Sequence, residues 1–378
     1  MDFTLTKEQE MARSLFREFA KKEVQPLAYE TDEMEHFPRE TVEKMKRLGF
    51  LGIPIPKEYG GQGCDALTYI LCIEELSRAC ATTGVIVSTH TSLCEEPLLK
   101  FGTKEQKDKF LVPLASGQKL GAFGLTEPNA GTDSAGQQTK AVPDGNEYVI
   151  NGSKIFITNG KEADIYIIFA MTDKTMGNKG ISAFIIEKGT PGFTFGSKEK
   201  KMGIRGSSTY ELVFTDLKIP RENILGMEGD GFKIAMQALD CGRIGIAAQA
   251  LGIASGALEK SVAYVKERKQ FGKPLSKFQN TQFKIADMAT EIEAARLLVY
   301  RAAVAKEKQK KFSAEASMAK LYASEVANRV TSLAVQLHGG YGYIREYEVE
   351  RMMRDAKITE IYEGTSEVQR MVISGALL

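Results

Sequence analysis

Glu363 lies in the run Ile361-Tyr362-Glu363-Gly364-Thr365-Ser366-Glu367, a carboxylate followed directly by glycine. Glycine there permits a tight turn in which backbone approaches a bound molecule closely. A carboxylate held in such a turn is a candidate acid–base group, although the same glutamate left in water is an ordinary solvated loop residue. Two further stretches carry donors without bulk. Leu125-Thr126-Glu127-Pro128-Asn129-Ala130-Gly131-Thr132-Asp133 offers N–H groups and hydroxyls suited to a polar ring edge or a phosphate. Turn residues also cluster this way for conformational reasons alone. Gln336-Leu337-His338-Gly339-Gly340-Tyr341-Gly342 is similar, and its Gly339 is equally suited to ending a helix.

Other chemistries lack their residues. The three histidines, His36, His90 and His338, form no H-E-x-x-H and no paired His–carboxylate spacing, so no catalytic metal is expected. There is no G-x-S-x-G and no Walker A sequence. Gly229-Asp230-Gly231 opens like a dinucleotide fingerprint, but the sixth position is Ile234 and no clear strand pattern precedes it. Five cysteines, Cys64, Cys72, Cys80, Cys94 and Cys241, contain no C-x-x-C pair and fit free thiols in a reducing cytoplasm. A net charge of +1 argues against nucleic-acid binding. No apolar run reads as long enough to cross a bilayer, and Met1-Asp2-Phe3-Thr4 lacks the basic-then-apolar layout of a signal peptide.

The elements that must position these residues follow from periodicity. At 378 residues the chain exceeds what one core supports, and 43% hydrophobic with 26% charged residues is a globular balance. Residues 1–120 read as helical: Thr6 and Gln9 have capping-box spacing, and Met11, Leu15 and Phe19 follow at helical intervals. Gly49, Pro54, Pro56 and Gly60-Gly61-Gln62-Gly63 interrupt, and a second helix includes Ile70 to Arg78. From 121 the pattern becomes that of strands, at Asp164 to Met171, Gly180 to Ile186 and Glu211 to Phe214. Asn151-Gly152 reads as a type I′ hairpin turn between Tyr148-Val149-Ile150 and Ser153 to Thr158. From 229 the helical period returns, with one stripe of Ile285, Met288, Ile292, Ala295, Val299 and Ala302. A second stripe is Ala316, Ala319, Ala323, Val326, Val330, Leu333 and Leu337. Helices, then strands, then helices predict an α+β fold with segregated layers. The expected units are a helical domain over 1–120, a β domain over 121–228 and a helical bundle over 229–378.

Six stretches stand in an order that resembles the acyl-CoA dehydrogenase family: Gly124 to Asp133, Lys154 to Gly160, Leu239 to Gly245, Arg268 to Pro274, Gln336 to Gly342 and Arg351 to Gln369. Their wording is nearest to the butyryl-CoA dehydrogenases of anaerobic bacteria. The resemblance implies the acyl-CoA dehydrogenase-like fold, with a four-helix C-terminal bundle and a homotetramer. FAD would lie between the β domain and that bundle, its site completed by a neighbouring subunit. Leu125, Thr126, Gly131 and Thr132 would line the flavin edge, with Phe156, Ile157 and Thr158 on its other parts. Arg268, Phe271, Gln279 and the loop Gln336, Leu337, His338, Gly339, Gly340 would hold the ADP half across the subunit boundary. Thr365, Ser366 and Glu367 would also touch FAD. Asp240, Cys241, Gly242 and Arg243 would meet the CoA thioester together with Thr132, and Gly364 the acyl end. The pocket floor would involve the helix around Val85 to Leu99.

Within that resemblance Glu363 is the base that removes the α-proton. An α-C–H beside a thioester is too weak an acid for an unaided carboxylate. The family places two hydrogen bonds on the thioester oxygen, from a flavin hydroxyl and from the base's own N–H. The β-hydrogen leaves as hydride to the flavin. Desolvation should raise the affinity of Glu363 for its proton. Isovaleryl and long-chain relatives carry the base at the position that is Gly242 here, where glycine cannot serve. Cys241 stands where near relatives have glycine, and Phe156 replaces a common tryptophan. The implied activity is short-chain acyl-CoA dehydrogenation, or the reverse reduction of an enoyl-CoA, exchanging electrons with an electron-transferring flavoprotein. The alternatives are a dedicated acryloyl- or aryl-enoyl-CoA reductase in an electron-bifurcating complex, an acyl-CoA oxidase, and a non-catalytic binding member of the family.

Overall fold

The computed structural model describes residues 4–309 and 311–378; the first three residues of the N-terminal reading above, and residue 310, lie outside the described residues. The chain opens with a helix over Lys7–Phe19 whose capping box is formed in both directions: Gln9 N–H donates to Thr6 Oγ1 (3.2 Å) and Thr6 N–H to Gln9 Oε1 (2.9 Å). Of the expected stripe Phe19 is buried, together with Phe16, while Met11 and Leu15 are exposed. Asp65 caps the next long helix, Ala66–Ala79, by accepting from Thr68 N–H at 2.7 Å. A helical run over Ala81–Ser88 then passes into a π-helical turn, Thr89–Glu95, all of it buried.

Eight strands follow: β1 Gly121–Gly124, β2 Lys140–Asp144, β3 Glu147–Ile157, β4 Ile165–Met171, β5 Ile181–Glu187, β6 Phe193–Lys198, β7 Tyr210–Pro220 and β8 Ile224–Leu225. They form one sheet in the order β6-β7-β3-β2-β4-β5-β8, with β1 pairing parallel to β4. Alternate residues of β4 serve two cores. Ile165, Ile167 and Phe169 pack with Leu93, Leu98 and Phe110 of the helices, while Tyr166 and Ile168 pack with Tyr148, Phe193 and Leu212.

Asn151-Gly152 is not a hairpin turn. β3 runs straight through it, with a bulge against β7 between Ile150 and Gly152. Asn151 is held by Asp216, whose N–H donates to Asn151 Oδ1 at 2.8 Å. A Cβ on Gly152 would meet Thr139 Cα at 2.7 Å, so glycine serves a close approach there. The hairpin turn is Gly145-Asn146, since Asp144 pairs with Glu147.

The remaining helices are Gly231–Glu267, Gln279–Lys308, Ser313–His338, Val349–Ile358 and Ser366–Leu377. A strand does precede Gly229-Asp230-Gly231, contrary to the reading above, but β8 is only two residues long. Met288, Ile292, Ala295, Val299 and Ala302 are buried, as are Ala316, Ala319, Ala323, Val326 and Val330, so both stripes face the core. The 231–267 helix does contain an apolar window long enough to cross a membrane, but 89% of that window is buried inside the fold. It is the central helix on which the 66–79 and 313–338 helices pack, and one apolar cluster joins all three.

Candidate active site

Glu363 is positioned by two helix ends. The 349–358 helix stops at Thr359, whose hydroxyl donates to Ala356 O at 2.7 Å. Thr365 caps the 366–377 helix by accepting from Val368 N–H at 3.4 Å. The link between them needs two successive left-handed residues, Glu363 (φ 54°) and Gly364 (φ 96°). For a non-glycine residue that conformation costs about 1–2 kcal/mol. Side chains hold it in place. Gln369 Nε2 donates to Gly364 O at 2.8 Å and to Glu363 O at 3.3 Å, and Lys320 Nζ donates to Gly364 O at 2.7 Å. The preceding Tyr362 donates its hydroxyl to Gln249 Oε1, and Gln249 Nε2 donates to Ala81 O at 3.0 Å.

The carboxylate points into the protein against the 231–267 helix. Its Oε2 is sealed and meets no hydrogen-bond partner among the described residues. A Cβ placed on Gly242 would collide with that oxygen and lie 2.8 Å from Glu363 Cδ and 2.9 Å from Leu93 Cδ2. Burial pushes the Glu363 carboxyl up from 4.5 to about 8, against the opposing pull of the Lys320 and Arg243 charges. Asp240 is engaged elsewhere: Arg243 donates to its Oδ1 at 2.7 Å and Ser313 donates its hydroxyl to Oδ2. Cys241 is half-buried beside Gly242. Burial also raises its thiol to about 12.

The structure brings the first two expected flavin stretches together. Ile155 N–H donates to Thr126 O at 2.9 Å, which joins Leu125 and Thr126 to the end of β3. Lys154, fully buried, donates to Leu125 O (3.1 Å), Glu127 Oε1 (2.7 Å) and Gln137 Oε1 (3.0 Å), so one ammonium clamps the loop that follows β1. Beyond that clamp Gly131 and Thr132 are exposed, and nothing lies within 4 Å of a Cβ built on Gly131. Phe156 is left-handed (φ 61°) and 60% exposed, Ile157 is buried and Thr158 is half-buried. Ser366 Oγ, at the start of the last helix, is buried and without a partner, and Glu367 is exposed.

A second group gathers elsewhere. Arg268, Gln336, Leu337, His338, Gly339 and Gly340 line an open groove of about 460 Å³. Arg268 lies over the Tyr341 ring at 5.2 Å, and His338 stacks on Tyr264 at 4.2 Å. Phe271 (φ 49°) is 93% exposed and meets Phe278, next to the exposed Gln279. Among the described residues no hydrogen bond or ring contact joins this group to the Leu125–Thr132 loop of the same chain.

Lys320 was missed from the sequence, and within the expected pocket-floor segment Val85 to Leu99 neither the π-turn nor the individual residues were foreseen. Lys320 is fully buried on the alanine stripe of its helix, four residues after Ala316, where a lone lysine reads as solvated. Leu93 reaches Gly242 from the π-turn. His90 and Glu95, both fully buried, stand 3.2 Å apart across that turn, a histidine–carboxylate pair at a spacing that no common motif uses. His90 Nδ1 accepts from Gly121 N–H at 2.9 Å, tying the turn to β1.

Family models for acyl-CoA dehydrogenases match in succession: the N-terminal domain over residues 6–118, the middle domain over 122–217 and the C-terminal domain over 229–378. The chain belongs to the acyl-CoA dehydrogenase family. It is therefore an FAD-dependent oxidoreductase acting on a CH–CH bond. A short-chain specific acyl-CoA dehydrogenase of Clostridium acetobutylicum is 63% identical over the whole of both chains. The structure of butyryl-CoA dehydrogenase from Megasphaera elsdenii is 57% identical, covers both chains fully and superposes with a TM-score of 0.98. A chain in a structure concerned with the electron transferring flavoprotein of Acidaminococcus fermentans and flavin-based electron bifurcation is 58% identical, again over both chains, with a TM-score of 0.99. For this family member the residues present fit the cofactor. Gly131 is open, Phe156 is exposed in a left-handed conformation at a bulge near the end of β3, and Ser366 Oγ is a buried polar atom without a partner among the described residues.

Proposed function

We propose that this protein is a short-chain acyl-CoA dehydrogenase in which Glu363 removes the α-proton of a butyryl-CoA-like thioester. The observation that carries the reading is the sealed, partnerless Oε2 of Glu363 facing bare backbone at Gly242. An oxygen with no hydrogen-bond partner, on a carboxyl of raised proton affinity, would accept a proton once substrate displaces the side chains that cover it. Leu93 stands beside the same point, and its side chain would bound the acyl end of a bound thioester.

Leu125, Thr126, Gly131, Thr132, Phe156, Ile157, Thr158 and Thr365 to Glu367 would hold the flavin end of FAD. Arg268, Phe271, Gln279 and 336–340 of a neighbouring copy would hold the ADP half, which makes the working form a homo-oligomer, a tetramer by the resemblance. Bound FAD supplies the acceptor for the β-hydride. The chain does the rest. Gly242 and Gly364 would leave room for the thioester, the Glu363 N–H would polarise its oxygen, and Leu93 would help to keep water out.

The same site run backwards reduces an enoyl-CoA. The likeness to the chain from the electron-bifurcation structure supports an electron-transferring flavoprotein as the redox partner in either direction. Five free thiols suit a reducing cytoplasm. Anaerobic mixing of the purified yellow protein with butyryl-CoA tests the reading: the flavin band should bleach within a turnover. A folded, FAD-loaded protein whose band stays unchanged would overturn it.

A further inference from the structure

Lys320 is a buried ammonium whose obvious duty is already performed by another residue. It lies on the 313–338 helix, fully buried, and among the described residues its one hydrogen bond goes to Gly364 O at 2.7 Å. That carbonyl also accepts from Gln369 Nε2 at 2.8 Å, so the turn after the base has a second anchor with no charge to bury. Among the described residues no carboxylate oxygen comes within 4.0 Å of Lys320 Nζ. Burying an unpaired ammonium costs several kcal/mol. An amide would make the same hydrogen bond at far lower cost. What lysine adds is positive charge beside Glu363.

The placement of that charge is specific. A cation bonded directly to Oε2 would occupy the atom that must take the proton and would hold the carboxylate too weakly basic. Lys320 is instead tethered to the next residue's carbonyl, near the carboxylate but off its reacting oxygen. The other charged and titratable groups facing Glu363 are Arg243 from the 231–267 helix, Tyr69 from the 66–79 helix and its neighbour Tyr362. Arg243 is largely offset by Asp240 at 2.7 Å, and neither tyrosine is a cation. Lys320 itself faces Glu363, Arg243, Glu360 and Glu367.

We propose that Lys320 is a positioning residue for the base: its ammonium anchors the Glu363–Gly364 turn and supplies the counter-charge that lets the buried carboxylate ionise. This rests on the reading of Glu363 as the base. Consistently, Lys320 exerts the largest charge effect on Glu363, opposing burial, while burial lowers Lys320 itself to about 8.

The test compares wild type, Lys320→Met and Lys320→Gln as FAD-loaded enzymes, with flavin content and thermal unfolding as controls of folding. Gln keeps a donor for Gly364 O and removes the charge. Two readouts are taken against pH: flavin reduction at low butyryl-CoA, and, without substrate, the infrared carboxylic-acid band of Glu363, assigned by its loss in Glu363→Gln. In both variants each midpoint should move up by about one pH unit or more. The rate at neutral pH then falls roughly tenfold per unit and recovers in alkali. Should Lys320→Met lose its flavin, Lys320→Gln carries the comparison alone. Midpoints that coincide with wild type in Lys320→Gln overturn the proposal, whether or not the rate falls. If butyryl-CoA fails to reduce the wild-type flavin, the reading of the reaction fails, while the infrared midpoint still decides the role of Lys320.

Discussion

Gly242 and Glu363 share one point in space: a Cβ on the glycine would lie 2.8 Å from the carboxyl carbon of the glutamate. The 231–267 helix thus presents bare backbone to the Glu363 carboxyl. Gly242→Ala should fold, because alanine favours a helix interior by up to about 1 kcal/mol over glycine and the atoms in its way end a flexible side chain. The methyl must nevertheless push the carboxylate off its position. A misplacement of about 1 Å can cost about 10²-fold, so flavin reduction by butyryl-CoA should fall by roughly that factor at unchanged FAD content. A Gly242→Ala enzyme reducing its flavin at the wild-type rate would show that the base works from another position.

The raised value of Glu363 has a sign that stability measurements can check. Its folded value, about 8, lies above the ordinary 4.5. Its contribution to stability is therefore full below 4.5 and is lost as pH rises through about 8. Lys320 acts in the opposite sense. Its value falls from 10.5 to about 8, so its contribution is full above 10.5 and is lost as pH falls through about 8. Glu363→Gln removes the first effect and disturbs the second little near pH 9 or pH 5, where Lys320 is largely neutral or Glu363 is already neutral. Its melting temperature should exceed that of wild type by a few degrees near pH 9, the difference shrinking to nothing by about pH 5. A pH-independent difference in calorimetry would mean that the carboxyl is not perturbed.

Much of this arrangement was legible in residues and some was not, for physical reasons. The stripes on the 279–308 and 313–338 helices were readable because their buried residues recur every three or four positions. Asn151-Gly152 misled because its glycine serves contact with Thr139 rather than a turn, a demand set by another strand. Met11 and Leu15 kept helical spacing but lie outside the arc that Phe16 and Phe19 bury. Glu363 could be picked out by the family pattern around it. Lys320 could not, since its nearness to Gly364 depends on how the 313–338 helix packs beneath the last turn.

Arg268 is exposed in the groove beside Gly339 and Gly340, free to meet an anion brought by another copy. Arg268→Ala should weaken FAD retention by roughly 10–100-fold, since a hydrogen bond to a charged group contributes about 1.5–3 kcal/mol. Arg268→Lys should recover only part, because an ammonium cannot make the fork of paired bonds to a phosphate. Flavin content after dilution and gel filtration measures this. Full retention in Arg268→Ala would remove the residue from the ADP site.

Glu363→Gln should bind FAD and acyl-CoA and yet lose nearly all flavin reduction. Glutamine is almost isosteric and keeps the N–H that would polarise the thioester, so only proton acceptance should be lost. General-base contributions are about 10²–10⁴-fold, and the upper end is expected because no second acceptor stands nearby. Asp240 is the other acid on that side, and both its oxygens are committed, one to Arg243 at 2.7 Å and one to Ser313. Asp240→Asn should therefore disturb Arg243 and weaken acyl-CoA binding while leaving the limiting rate of reduction within about an order of magnitude of wild type. Rapid-mixing absorbance at saturating butyryl-CoA separates the two. Were Glu363→Gln to reduce its flavin at near the wild-type rate while Asp240→Asn did not, the proton would have to leave by way of the 231–267 helix, and the sealed oxygen of Glu363 would have no part in the reaction.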